Sequence, residues 1–171
     1  MGRSARCRGV FNRLAQGLAP AALIGGFALP LPLSAAEFDV AIPMHQKAAS
    51  TYYVKGAIGG LGAVELLVDT GSSYLAIDEA SLQTLADKGL ATYVRDLSGQ
   101  FADGRRRMIP VYRIAEITIG DGCQLRDIEA AVLPGETRYI LGLSALNQAS
   151  PFIFSTAPPV LMLSHCEQSA A

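Results

Sequence analysis

Asp69, Thr70, Gly71, Ser72 and Ser73 are the stretch of this chain in which residue types and spacing converge on a reaction. They follow an apolar strand in which Val64, Leu66 and Val68 share one face while Glu65, Leu67 and Asp69 share the other, so the strand delivers a carboxylate at its end. A carboxylate leaving a buried strand needs hydrogen bonds to satisfy its charge, and a glycine followed by hydroxyls supplies donors within a short turn. Held in this way it can take a proton as a general base or, once protonated, donate a hydrogen bond. An Asp-Thr-Gly triple alone is also an ordinary turn. The apolar strand before it and the two serines after it set this one apart.

Other chemistries find little support. No phosphate-binding loop, dinucleotide glycine pattern or His-Glu-x-x-His run occurs. His45 and His165 have no paired spacing, and Cys123 and Cys166 are far apart, so no metal site is expected. Adjacent residues on a strand point to opposite faces, so Cys166 and His165 cannot meet as nucleophile and base. Fourteen basic residues are balanced by fifteen acidic ones with no long basic run, which argues against a charge-driven nucleic-acid binder.

The charge is unevenly spread. Residues 1–36 carry Arg3, Arg6, Arg8 and Arg13 and no acid, then an apolar stretch from Leu14 to Leu33 ending in Ser34, Ala35 and Ala36. Basic, greasy, then small residues are the order of a secretory signal, cut after Ala36. The stretch is also long enough for an uncleaved membrane anchor, although Pro20, Gly25, Gly26, Pro30 and Pro32 interrupt it. Either way the chain from residue 37 onward is expected to be exported, periplasmic or secreted, with the membrane touched only by the N-terminal segment. Beyond residue 36 the chain holds ten basic and fifteen acidic residues in 135 positions. Only Cys123 and Cys166 remain there, and in an oxidising compartment they can form one bridge, although the sequence does not place them within bonding distance.

The elements around the acidic motif read as mostly β. Residues 37–50 show no clear periodicity and are taken as a lead-in arm. Thr51 to Ile58 and Val64 to Val68 form a hairpin broken by Gly59, Gly60 and Gly62. Tyr74 to Ile77 is a short strand, and Asp78 caps a helix with Leu82, Leu85 and Ala86 at helical spacing, ended by Gly89. Residues 93–113 form a long polar hairpin with Asp103 and Gly104 at its tip. Further strands run from Arg113 to Ile119 and from Leu125 to Leu133. Tyr139 to Leu141 is an apolar run, Gly142 opens a short helix, and strands around Phe152–Phe154 and Val160–Leu163 close the domain, leaving 166–171 as a tail.

On these residues the chain resembles the retropepsin-like aspartic proteases, whose signature is an apolar strand ending in Asp-Thr-Gly and then Ser or Ala. The resemblance spans about residues 51–165: the glycine hairpin, Asp69-Thr70-Gly71-Ser72, a flap-like hairpin around Asp103-Gly104, and Ile140-Leu141-Gly142 opening a helix. It is similar in particular to the single-domain exported bacterial members. The resemblance implies a half-barrel with one main and one short helix, one lobe per chain. It implies an endopeptidase acting on polypeptide, with no metal, cofactor or covalent intermediate. One motif per chain means that a homodimer must supply the second carboxylate, two Asp69 groups sharing a proton across a twofold axis.

By motif position, Thr70 is expected to lock the paired loops, Gly71 N–H and Ser72 to orient Asp69, and Ile140, Leu141 and Gly142 to pack beside the loop. Phe101, Ala102, Asp103 and Gly104 would cover substrate, the alternative being an ordinary exposed hairpin. A noncatalytic peptide-binding or scaffolding module that keeps the fold is the other functional reading. Glu65 is taken as a surface residue, and Tyr52, Tyr53 and Tyr93 as packing groups.

Overall fold

The computed structural model describes residues 38–100, 104 and 106–168; the expected signal or anchor at 1–36 and the tip residues Phe101, Ala102 and Asp103 lie outside the described residues. Among the described residues twelve strands and two α-helices follow in chain order: β1 (Val40–Pro43), β2 (His45–Lys47), β3 (Thr51–Ile58), β4 (Gly62–Val68), β5 (Leu75–Asp78), α1 (Glu79–Asp87), β6 (Ala91–Gln100), β7 (Arg106–Ile119), β8 (Cys123–Leu133), β9 (Ile140–Leu141), α2 (Leu143–Leu146), β10 (Phe152–Thr156), β11 (Pro159–Leu163) and β12 (Glu167–Gln168).

The main sheet runs β12-β8-β5-β9-β4-β3-β7-β6, and β7 also pairs with β8, so the strands from β8 round to β7 close on themselves as a barrel. Closure removes two sheet edges and leaves the apolar alternation of each strand facing one core. Val54, Ile58, Leu66, Leu75, Ile77, Ile114, Ile117, Ile128 and Leu141 are fully buried in it. The barrel closes tightly where β3 meets β7. There Gly56 sits opposite Ile119, and a Cβ on Gly56 would come within 2.4 Å of the Thr118 carbonyl oxygen, so glycine permits the approach. Asp78 caps α1 by accepting a hydrogen bond from the Ser81 N–H at 2.7 Å, and Gly89 follows the helix at φ +68°. The glycine hairpin, the α1 cap and the long hairpin therefore stand where the residue pattern puts them.

The expected lead-in arm holds two short strands. Within it β1 pairs with β11, from Val40 opposite Leu163 to Pro43 opposite Val160, and β2 pairs with β3. Each segment is too short to show a period by itself, and one of its partners is more than a hundred residues away. The turn between β2 and β3 uses Ala49 and Ser50 at φ +58° and +56°, a conformation whose usual sequence marker, glycine, is missing. At the other end, Glu167 and Gln168 of the expected tail pair with Gln124 and Cys123.

Cys123, buried at the start of β8, is joined to Cys166 by a disulfide that closes 43 residues of chain. The link ties the β10–β11 region back to the barrel. Replacing both cysteines by alanine is expected to cost about 2–4 kcal/mol, because the unfolded chain regains the freedom of a loop of that length. Urea unfolding of the double variant against the oxidised parent measures the loss, and reduction of the parent should reproduce most of it.

Candidate active site

Asp69 lies one residue beyond β4, half-buried, with Thr70 and Gly71 exposed after it. Its position is set by backbone hydrogen bonds to a segment seventy residues away. β9 inserts between β4 and β5, parallel to the first, with Leu67 opposite Ile140 and Val68 opposite Leu141, and antiparallel to the second at Ala76. The Leu67 N–H donates to the Tyr139 carbonyl at 2.9 Å and the Asp69 N–H to the Leu141 carbonyl at 3.1 Å. Past the turn, the Leu143 and Ser144 N–H groups donate to the carbonyls of Ser72 and Ser73 at 2.8 and 3.0 Å. The expected packing of Ile140, Leu141 and Gly142 beside the loop is thus a ladder of main-chain hydrogen bonds on both sides of Asp69.

The carboxylate accepts a hydrogen bond from the Gly71 N–H, 2.9 Å from Oδ1. Ser72 bonds Asp69 through its main chain. Its N–H donates to the main-chain carbonyl of Asp69 at 3.1 Å, but its hydroxyl turns away from the carboxylate and donates to the Tyr74 carbonyl at 2.9 Å. The serine therefore braces the turn. Among the described residues no hydrogen bond reaches the Thr70 side chain, which remains exposed at the tip of the loop.

Three groups that sequence reasoning missed complete the surroundings. The Ser144 hydroxyl donates to the Glu129 carbonyl at 2.7 Å and accepts from the Leu75 N–H at 2.8 Å, joining α2, β8 and β5 behind the loop. A serine two residues past Gly142 was the available signal, since hydroxyls concentrate at helix starts. Arg95 on β6 forms a two-pronged ion pair with Glu129 on β8, at 2.9 and 2.6 Å, and also donates to the Tyr74 hydroxyl at 3.0 Å. Hydrogen bonding by Arg95 is the largest cause holding the Glu129 carboxyl below the usual carboxylate range, so the pair stays charged into acid. No local pattern joins an arginine and a glutamate 34 positions apart.

Glu65, on the same face as Asp69, belongs to a separate cluster on the outer face. Lys47 lies 2.5 Å and His45 2.9 Å from its carboxylate, and the Lys47 hydrogen bond is the main cause lowering its pKa. The His45 contact is close but poorly aligned, electrostatic more than directional. Tyr52 packs edge to face with Phe154, Tyr53 is stacked on His45, and Tyr93 is exposed but set edge to face against Tyr112.

The hairpin of β6 and β7 pairs from Ala91 opposite Ile114 to Gln100 opposite Arg106. Of the four tip residues singled out, Gly104 is described, exposed and at φ +79°. Among the described residues no group of histidine, cysteine or carboxylate side chains could hold a metal ion, and no helix is long and apolar enough to cross a membrane. A pocket of about 460 Å³ is lined by His165 and Cys166 among others, and one of about 430 Å³ by His45 and Glu65 among others.

The family model described as aspartyl protease matches residues 54–145. A crystal structure of a retropepsin-like aspartic protease from Rickettsia conorii is similar at 21% identity and a TM-score of 0.52, over 72% of this chain and 88% of that one. The retroviral protease-like domain of Ddi1 from Leishmania major is similar at 17% identity and a TM-score of 0.49, over 66% and 87%. No curated protein matches the chain in sequence.

Gly142 is where the loop and its brace come closest. A Cβ there would lie 2.1 Å from the Tyr74 carbonyl oxygen and 2.8 Å from that of Ser72. Both neighbours are backbone, so Gly142→Ala should destabilise the protein by on the order of 3 kcal/mol or more. Chemical denaturation of this variant against Gly135→Ala, whose added methyl would meet open space but carry the strain of positive φ, separates crowding from backbone strain.

Proposed function

The chain belongs to the aspartyl protease family, and from that premise we propose that it is an endopeptidase in which Asp69 of two identical subunits forms the catalytic pair. The observation that carries this reading is the Asp69 loop itself: a carboxylate fixed by the Gly71 N–H, braced by main-chain bonds on either side, and left open at Thr70 and Gly71. One chain supplies one such carboxylate. Two loops brought together across a twofold axis would cover the exposed residues and set the carboxylates side by side, where they cannot both ionise and so share one proton.

In this proposed dimer the ionised carboxylate acts as general base on a water molecule that attacks the peptide carbonyl. The protonated one donates to the oxygen on which negative charge develops, and a proton then passes to the leaving amine. No covalent intermediate is needed. Thr70, exposed at the loop tip, would join the two loops. The β6–β7 hairpin, through Phe101 to Gly104, is the proposed cover over an extended polypeptide held by backbone hydrogen bonds.

The test is cleavage of an unstructured protein by the wild type and by Asp69→Asn from acidic to neutral pH. The wild type is expected to cut and the variant to lose at least about a thousandfold in kcat, with the active species having the mass of two chains. Equal cleavage by both removes Asp69 as the catalytic group, and none by a folded wild type returns the noncatalytic peptide-binding reading. A strictly monomeric species that cuts would overturn the shared pair.

We also propose that residues 1–36 direct export. The Cys123–Cys166 disulfide supports an oxidising compartment. Sequencing the exported protein should find an N-terminus near Glu37; a retained Met1 would identify an anchor instead.

A further inference from the structure

The long hairpin leaves the barrel at one identifiable place. From Val111 onward β7 is held by β8, Val111 lying opposite Ala131, whereas Arg106–Pro110 pair with β6 alone. Asp96–Gln100 and Arg106–Pro110 therefore form a two-stranded ribbon projecting from the barrel, and an isolated ribbon of this kind is marginally stable by itself. Its inner face is recognisable from burial: Leu97 and Ile109, opposite one another, are half-buried, while Ser98 and Met108 on the other face are exposed.

Arg95 stands at the root. It lies opposite Val111, the last fully buried residue before the ribbon leaves, and the pairing slips by one residue between Tyr93 and Arg95, a bulge that bends the strand there. From that position its guanidinium holds both oxygens of Glu129 on β8 and the hydroxyl of Tyr74, five residues past Asp69. The same Tyr74 binds the Ser72 hydroxyl through its carbonyl, and the peptide carbonyl of the same Glu129 receives Ser144, the brace behind the loop. A bend, a charged two-pronged link and the loop that carries the carboxylate thus converge at one point.

We propose that Arg95 is a positioning residue that clamps the root of the ribbon to the Asp69 loop through Glu129 and Tyr74, fixing the height of the ribbon over bound polypeptide. This rests on the protease reading above. Arg95 touches neither Asp69 nor the reacting atoms. Its loss should free the ribbon, weaken substrate binding to ground and transition states alike, and leave the chemical step little changed.

The experiment uses the full chain and a peptide that the wild type cuts. Arg95→Ala and Glu129→Ala are each expected to raise KM about tenfold with kcat within about twofold, and the double variant to be no worse than either, because all three remove one link. Tyr74→Phe, which deletes a single hydroxyl, should raise KM by about threefold and serves where an alanine variant fails to fold. A purely structural salt bridge would lower the melting temperature and leave KM within twofold in folded variants, and that result overturns the clamp. So do additive effects of Arg95→Ala and Glu129→Ala on KM. Cleavage by the wild type with an unmoved KM in the variants removes the clamp alone, whereas a folded wild type that cuts nothing removes the protease reading and the clamp with it.

Discussion

The insertion of β9 between β4 and β5 is the constraint on which the arrangement of the site depends. Two residues, Ile140 and Leu141, pair with strands on either side, and their flanks reach Leu67, Asp69, Ser72 and Ser73 through main-chain hydrogen bonds. Main-chain bonds impose geometry independently of side-chain rotamers, so a surface turn acquires the rigidity of a sheet interior. Gly142 is the condition of that approach, since the Tyr74 carbonyl occupies the space where any other residue would place its Cβ. The barrel core then holds β4, β5 and β9 in place through Leu66, Leu75, Ile77 and Leu141, all fully buried.

Against this rigid base the open side of the loop is the informative contrast. Burying a carboxylate in an apolar interior without partners is costly, and the fold avoids it by leaving Asp69 half-exposed and giving Oδ1 one main-chain donor. Thr70 and Gly71 are exposed on a loop that is otherwise braced throughout. Ordered, polar and uncovered is the combination expected where a second surface is to be recognised, and the proposed pairing of two such loops uses it. Isologous contact needs only a single patch repeated about a twofold axis, which suits a chain with one Asp-Thr-Gly motif.

Local signals in the sequence revealed those parts of the fold that rest on local physics. Asp78 announces α1 because a short acidic side chain can cap the next turn, and Gly59, Gly60 and Gly62 announce the β3–β4 turn. Asp69 is legible because a carboxylate ending an apolar strand demands an explanation. What was not legible is what depends on register between distant segments. β1 and β2 have too few residues to show a period, and the Ala49–Ser50 turn adopts left-handed backbone without the usual glycine. The direction of the Ser72 hydroxyl, which donates to the Tyr74 carbonyl, is likewise set by the folded turn and not by residue type. Arg95 and Glu129 show no sign of contact in the sequence and meet only when β6, β7 and β8 are laid side by side, across the root of the hairpin.

Two groups of charges flank the loop. On the outer face, Lys47 and His45 lie against the ring of Tyr53 and both meet Glu65, and Tyr53 lies opposite Leu67 on the strand leading to Asp69. At the other end of the loop, Arg95, Glu129 and Tyr74 link β6, β8 and the start of β5. Each group is partly exposed, so each contributes little through Coulomb attraction alone. Their value lies in direction. A two-pronged guanidinium and carboxylate pair fixes the relative orientation of the elements that carry it far more tightly than apolar contact does. Apolar packing therefore sets the barrel, main-chain bonds set the loop, and ionic links hold the two pieces that packing leaves least constrained, the β2 arm and the root of the ribbon.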